Sequence, residues 1–307
     1  MKLLVNPNPE KWKKQLARPV QKTKEINKIV KPIFEKVEKN GDKALKKFAQ
    51  EYDHVTLDSL LGTAEEIKAA KDQISKELKE AIKTAKANIE KFHAAQATPE
   101  LIEEVMPGVI CRRKSVPIQR VGLYIPGGTA PLFSTVLMLG VPAKIAGCAE
   151  IVLCTPPNRE GKIHPAILYT ADLVGITKVL KVGGAQAVAA MTFGTESVPQ
   201  VDKIFGPGNQ YVTAAKQFAT KYGVAIDMPA GPSEVLVYAD ETAVPSFVAS
   251  DLLSQAEHGV DSQVVLVTPS DKFAKKVLKE IDVQLEELSR KDIAFKALQN
   301  STAVVME

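Results

Sequence analysis

A chain of 307 residues exceeds the usual single-domain range, and 45% apolar with 25% charged residues is an ordinary globular balance. Its 40 basic and 36 acidic residues leave a net charge of +4, with lysines interleaved with glutamates along helical faces, which excludes a basic stripe for nucleic acid. Three cysteines (Cys111, Cys148 and Cys154) make no disulfide framework, no run approaches the roughly 20 apolar residues of a membrane span, and residues 1–5 are too short a stretch for a signal peptide, so a cytoplasmic protein is expected.

Residues 1–20 carry two Asn-Pro pairs and Trp12 with little periodicity, an arm that must pack on another element. From Ile26 the apolar positions Ile29, Val30, Ile33, Phe34 and Val37 recur at helical spacing, and Asn40-Gly41-Asp42 ends that helix and caps the next. A second long helix is expected from Thr63, opened by a capping box with Glu66 and carrying Ile67, Ile74, Leu78, Ile82, Ile89 and Phe92 on one stripe. After Pro107-Gly108 the pattern alternates. Strands are expected at 109–113, 121–125, 151–154, 178–182, 203–205, 224–228, 234–238, 263–267 and 302–306. Helices are expected at 131–139, 164–174, 185–193, 210–222, 245–258 and 271–288. Alternation of this kind predicts parallel sheets covered by helices, in two lobes.

The chemical signal lies in the loops. In an open α/β sheet, ligands bind beyond the carboxyl ends of the strands. Four strand ends are stripped of bulk: Tyr124-Ile-Pro-Gly-Gly128, Val182-Gly-Gly-Ala-Gln186, Phe205-Gly-Pro-Gly-Asn209 and Met228-Pro-Ala-Gly-Pro-Ser233. Glycine lets backbone approach a ligand closely, and a following helix N-terminus favours phosphate. One such loop is an ordinary tight turn; four in about a hundred residues point to a nucleotide. None is a G-x-G-x-x-G with an acid about 20 residues on, and Pro207 removes an N–H from the nearest match.

Gln255 and His258 lie three apart near the end of the expected helix 245–258, a spacing that lets an amide oxygen and an imidazole converge on one ion. Two donors do not complete a zinc site, and no histidine follows His258. A lone helical histidine is more often structural, as His54, His93 and His164 are expected to be. Cys148 and Cys154 read as small buried hydrophobes rather than thiolates. Ser233 is placed to hydrogen-bond a ligand or simply to turn the chain.

The segments Val121-Gly-Leu-Tyr-Ile-Pro-Gly-Gly128, Lys181-Val-Gly-Gly-Ala-Gln-Ala187, Phe205-Gly-Pro-Gly-Asn209, Ala230-Gly-Pro-Ser-Glu234 and Asp251-Leu-Leu-Ser-Gln-Ala-Glu-His258 resemble histidinol dehydrogenase, in that family's order and along essentially the whole chain. The resemblance implies a zinc- and NAD-dependent alcohol/aldehyde dehydrogenase of histidine biosynthesis that oxidises L-histidinol, via the aldehyde, to L-histidine with two NAD. It implies an aldehyde-dehydrogenase-like fold of two Rossmann-like parallel-sheet lobes with a helical N-terminal region. It also implies a homodimer. By the same resemblance Tyr124, Gln186 and Asn209 contact NAD, Ser233 contacts substrate, and Gln255 and His258 bind zinc and substrate together. Zinc would hold the imidazole and amine of histidinol.

The domain division expected is an arm at 1–20, a first α/β domain from 21–123 plus 235–307, and a second, NAD-facing domain at 124–234. Family members continue past the position of Glu307, and the continuation carries a Glu-His acid/base pair and the remaining Asp and His zinc ligands. The chain is therefore expected to be an N-terminal portion, with no catalytic acid/base residue of its own and no activity alone. Two alternatives stand beside this: a non-catalytic nucleotide-binding or dimerisation module of the same fold, and a thiol-dependent aldehyde dehydrogenase, for which the cysteines lie outside the glycine-rich loops.

Overall fold

Parallel strands alternating with helices organise the chain, in a computed structural model that describes residues 1–17, 23–127, 131–229 and 234–306. In chain order the elements begin β1 (Lys2–Val5), α1 (Pro9–Gln15), α2 (Thr23–Phe48), α3 (Ala64–Ala70), α4 (Lys76–Ala94), β2 (Leu101–Met106) and β3 (Val109–Arg113). They continue β4 (Arg120–Tyr124), α5 (Phe133–Ala146), β5 (Glu150–Thr155), α6 (Pro165–Val174), β6 (Lys178–Lys181), α7 (Gly184–Phe193), β7 (Lys203–Phe205), α8 (Gln210–Ala219) and β8 (Ala225–Ile226). The last are β9 (Glu234–Tyr238), α9 (Pro245–Ala256), β10 (Gln263–Thr268), α10 (Asp271–Glu287), α11 (Lys291–Gln299) and β11 (Thr302–Val305).

Local signals act much as their chemistry predicts. Gly41, at φ 48°, breaks α2 into two halves. The following Asp42 carboxylate accepts from the Thr195 and Ser197 hydroxyls and from the Ser197 N–H, tying the kink to the loop after α7. The Thr63–Glu66 capping box forms at the start of α3. The single long helix expected from Thr63 does not form. It stops at Ala70 and restarts at Lys76, because the Ser75 hydroxyl accepts from Leu78 N and caps a new helix. Residues 109–113 form a strand, but outside the parallel sheets. β3 turns back at Gly108 (φ 81°) and pairs antiparallel with β2, which alternation had not suggested. Helix α11 was likewise not expected.

The chain divides into two compact units, Thr23–Pro229 and Met1–Lys22 with Ala230–Glu307. In the first, a five-stranded sheet runs β6-β5-β4-β7-β8, every pairing parallel. Helix α2 packs on α7 and α8, while α3 packs on α6 and α4 on α5. Phe34 and Leu45 of α2 are fully buried in one core with Leu180, Met191 and Ile204. Phe34 also meets Phe218 edge to face at 4.9 Å. Ile82 of α4 is buried with Leu137 and Val141 of α5.

In the second unit the sheet runs β1-β11-β10-β9, again all parallel. Leu252, Leu253, Phe273, Val277 and Ile281 of α9 and α10 bury against Val264, Leu266 and Ala303. The N-terminal arm finds its partner here: β1 pairs with β11, and α1, capped by Asn8, follows with Trp12 Nε1 donating to the Pro7 carbonyl at 3.0 Å.

This partition differs from the expected grouping of 21–123 with 235–307. The N-terminal helices bury their apolar stripes on α5, α6, α7 and α8, so they belong with the sheet those helices cover. A boundary at 123/124 would also cut β4, the middle strand of that sheet. Only the first 22 residues join 230–307.

Candidate active-site loops and metal ligands

Counted among its own five strands, the sheet has the order 3-2-1-4-5, a doubly wound arrangement. Chain direction across the sheet reverses between β4 and β7, and the ligand crevice of such a sheet lies beyond the carboxyl ends of those two strands. The loops after Tyr124 and Phe205 leave at that point, and the Gly183-Gly184 turn into α7 leaves the same end of the sheet from β6, one strand beyond β5. Three of the four glycine-rich loops thus gather on one edge of one sheet. The fourth runs from 228 to 233, of which 230–233, Ser233 among them, lie outside the described residues, as does Gly128.

Tyr124 is only 4% exposed. Its hydroxyl accepts from Gly184 N at 3.0 Å, and burial pushes the phenol up to about 12 despite that hydrogen bond. The ring therefore holds the Gly183-Gly184 turn in place. Gln186 is buried in the first turn of α7, and its amide folds back over Gly184. Helix α7 starts without a side-chain cap, leaving its positive end for another partner. Asn209 is exposed and caps α8: its Oδ1 accepts from Tyr211 N and Val212 N, both at 3.1 Å. All three residues sit on the crevice loops, and two of them are engaged in building those loops.

The glycines serve the same end. A Cβ on Gly127 would lie 2.4 Å from the Pro156 ring, and one on Gly183 would lie 2.6 Å from the same ring. Gly206, at φ 132°, leaves no room at all: its Cβ would sit 2.1 Å from the Tyr124 carbonyl oxygen. Both polar groups of Gly206 are held. Its N–H donates to Asp227 Oδ2 at 2.8 Å, and its carbonyl accepts from Lys216 Nζ at 2.7 Å. Lys216, buried at 4% exposure, is also ion-paired with Asp227. Sequence patterns did not single out this pair. Its only signal was a lysine on the inner face of an otherwise apolar helix, Val212, Ala214, Ala215 and Ala219 being the other buried positions of α8.

Gln255 and His258 belong to the other unit. Helix α9 ends at Ala256, two residues earlier than expected, so His258 stands just past its end. The imidazole Nδ1 lies 2.8 Å from the Ser254 carbonyl oxygen. A carbonyl only accepts, so in the neutral imidazole the proton sits on Nδ1 and Nε2 carries the lone pair, the tautomer in which a histidine binds metal through Nε2. Gln255 Nε2 is buried without a hydrogen-bond partner. Oxygen and nitrogen of that amide are isosteric, and turning it over puts an acceptor where the orphan now lies. Two donors three residues apart thus fit part of a cation site. No group of three His, Cys, Asp or Glu suited to a metal occurs among the described residues.

The remaining candidates have structural duties. His164 caps α6, accepting from Ala166 N at 3.2 Å, and His54 takes the left-handed conformation at φ 56°. Cys154 is fully buried and pushed up to about 12 by that burial, the reverse of what activates a thiolate. Cys148 is raised for the same reason, while Cys111 lies exposed on the β2–β3 ribbon.

Known proteins agree with this architecture. A family profile for histidinol dehydrogenase matches residues 16–307. Histidinol dehydrogenase from Bacteroides thetaiotaomicron is 57% identical over 307 residues, spanning all of this chain and 72% of that enzyme. The enzyme from Escherichia coli is 52% identical over 299 residues, 96% of this chain and 68% of its own length. The crystal structure of histidinol dehydrogenase from Elizabethkingia anophelis, 54% identical, superposes with a TM-score of 0.95 over the whole chain and 71% of its own. The chain belongs to the histidinol dehydrogenase family, oxidoreductases of histidine biosynthesis.

Proposed function

We propose that this chain supplies the NAD-facing loops and two of the zinc ligands of an enzyme that oxidises L-histidinol to L-histidine. The observation that carries the reading is the Gln255–His258 pair: an imidazole whose Nδ1 faces a carbonyl, leaving Nε2 as the acceptor of the neutral ring, three residues after a buried amide nitrogen with no partner. On this reading Gln255 and His258 hold zinc, which supplies a Lewis-acid anchor for the imidazole and amine of the substrate. NAD, which supplies the hydride acceptor, lies over the crevice at the β4–β7 switch, against the uncapped end of α7 and the loops bearing Tyr124, Gln186 and Asn209. Ser233 is assigned to substrate by its place in the Ala230-Gly-Pro-Ser-Glu234 motif alone. A cytoplasmic homodimer is part of the proposal, supported by family membership.

Zinc sites take three or four protein ligands, and two are assigned among the described residues. The 307-residue chain by itself therefore binds zinc weakly and shows no histidinol-dependent NADH formation. The test is made in a chain of the relatives' full length. There Gln255→Ala and His258→Ala lower zinc content and turnover together. Stoichiometric zinc retained by both variants refutes the ligand assignment, and turnover by the 307-residue chain alone refutes its proposed inactivity.

A further inference from the structure

We propose that Lys216 and Asp227 are positioning residues that lock the Phe205-Gly-Pro-Gly-Asn209 loop into the shape that receives the cofactor. The cofactor clause rests on the function proposed above; the lock itself rests on geometry alone. Gly206 has a backbone conformation at φ 132° that side-chain-bearing residues rarely adopt, pressed against the Tyr124 carbonyl. Glycine reaches this conformation without strain but does not hold it by itself, so its surroundings must fix it. Here the surroundings are two charges. The Asp227 carboxylate takes the Gly206 N–H, the Lys216 ammonium takes the Gly206 carbonyl, and the two charges pair with each other.

A lysine at 4% exposure is costly to bury, and replacing such a pair by apolar residues is often neutral or stabilising. Packing therefore gives no reason for a lysine on the inner face of α8. What an apolar residue cannot supply is a directional donor to one carbonyl ten residues away. The pair also closes a triangle of three segments: the loop after β7, the interior of α8 and the segment after β8, where Asp227 N donates to the Ile204 carbonyl at 3.2 Å. Movement of the loop breaks two charge-assisted hydrogen bonds at once, so the loop is pre-organised before any ligand arrives.

Amide hydrogen exchange on the ligand-free chain tests the lock, and calorimetric NAD titration tests its use. Lys216→Met is compared with Ile82→Ala, which loosens the α4–α5 core elsewhere in the unit. The expected result is faster exchange at Gly206, Gly208 and Asn209 in Lys216→Met and unchanged exchange there in Ile82→Ala. NAD affinity falls roughly tenfold in Lys216→Met, about one charge-assisted hydrogen bond's worth. Asp227→Asn, which keeps an oxygen for the Gly206 N–H, is milder than Asp227→Ala. If Lys216→Met does not fold, the two Asp227 variants carry the same comparison. Exchange at the loop equal in Lys216→Met and Ile82→Ala overturns the lock. Faster exchange with unchanged NAD affinity upholds the lock and removes NAD from this loop.

Discussion

Asn209 separates a structural from a binding role most cleanly. Its Oδ1 accepts from Tyr211 N and Val212 N at 3.1 Å, satisfying two of the donors that open α8. Replacing an N-cap asparagine by alanine costs about 1 kcal/mol. For a unit of this size that lowers Tm by about 2–4 °C. Fraying of α8 also loosens the seat of Lys216, so weaker NAD binding by Asn209→Ala has two explanations. Asn209→Ser removes the ambiguity, because serine caps about as well but has no carboxamide. If the carboxamide contacts NAD, Asn209→Ser keeps the wild-type Tm and still loses about tenfold in NAD affinity, one hydrogen bond's worth. Thermal melts read the cap and calorimetric titration reads the contact. Wild-type NAD affinity in Asn209→Ser refutes the contact and leaves Asn209 a capping residue.

Three further outcomes concern Asp53, Asp42 and Gly206. Burial pushes the Asp53 carboxyl up to about 6, opposed by His54, so the folded state binds the extra proton and stability falls as pH rises from about 4 to about 6. With the group partly solvated the loss is about 1 kcal/mol, and urea unfolding shows Asp53→Asn recovering it at pH 7 while flattening that pH dependence. Asp42 has the opposite sign. Burial works against its charge, but hydrogen bonds from Ser197 and Thr195 and the nearby Lys46 hold the carboxyl below its ordinary value. That stabilisation is present above pH 3.8 and fades as pH falls through the lower folded value; with the group largely solvated, Asp42→Ala loses about 1–2 kcal/mol at neutral pH in the same assay, and no measurable loss refutes the tie. Gly206→Ala forces a Cβ to 2.1 Å from backbone oxygen and yields less folded protein on thermal melting than Gly208→Ala, whose Cβ meets the Val212 side chain at 2.5 Å.

The parallel-sheet architecture was legible because strands buried on both faces and the intervening helices leave different periods in the sequence. Strands 203–205 and 234–238 fall where β7 and β9 lie. What failed to show had little or no such period. β2 is exposed at every position and carries no burial rhythm, while α11 buries Ala294, Ala297 and Leu298 at helical spacing but over only nine residues. The break between α3 and α4 hung on one serine competing for backbone. Which sheet the N-terminal helices pack on was not legible for a different reason: an apolar stripe tells that a helix is covered, and not by which sheet. Nothing in the stripe of Phe34 and Val37 names α7 and α8 as its partners.

The glycines were legible as a signal, and the structure adds a second cause for them. Their density suggested backbone opened for a ligand. In the structure the space beyond Gly127, Gly183, Gly206 and Gly208 is taken by Pro156, Tyr124 and Val212. Loops that leave neighbouring strands at a switch point are crowded against one another, and glycine is what crowding permits. The two readings converge, since a rigid, close-set group of loops is also what a cofactor needs to meet. They differ in what a substitution does. If ligand filled the space, alanine would cost affinity and spare stability; with protein filling it, alanine costs the fold of the loop first, and affinity follows.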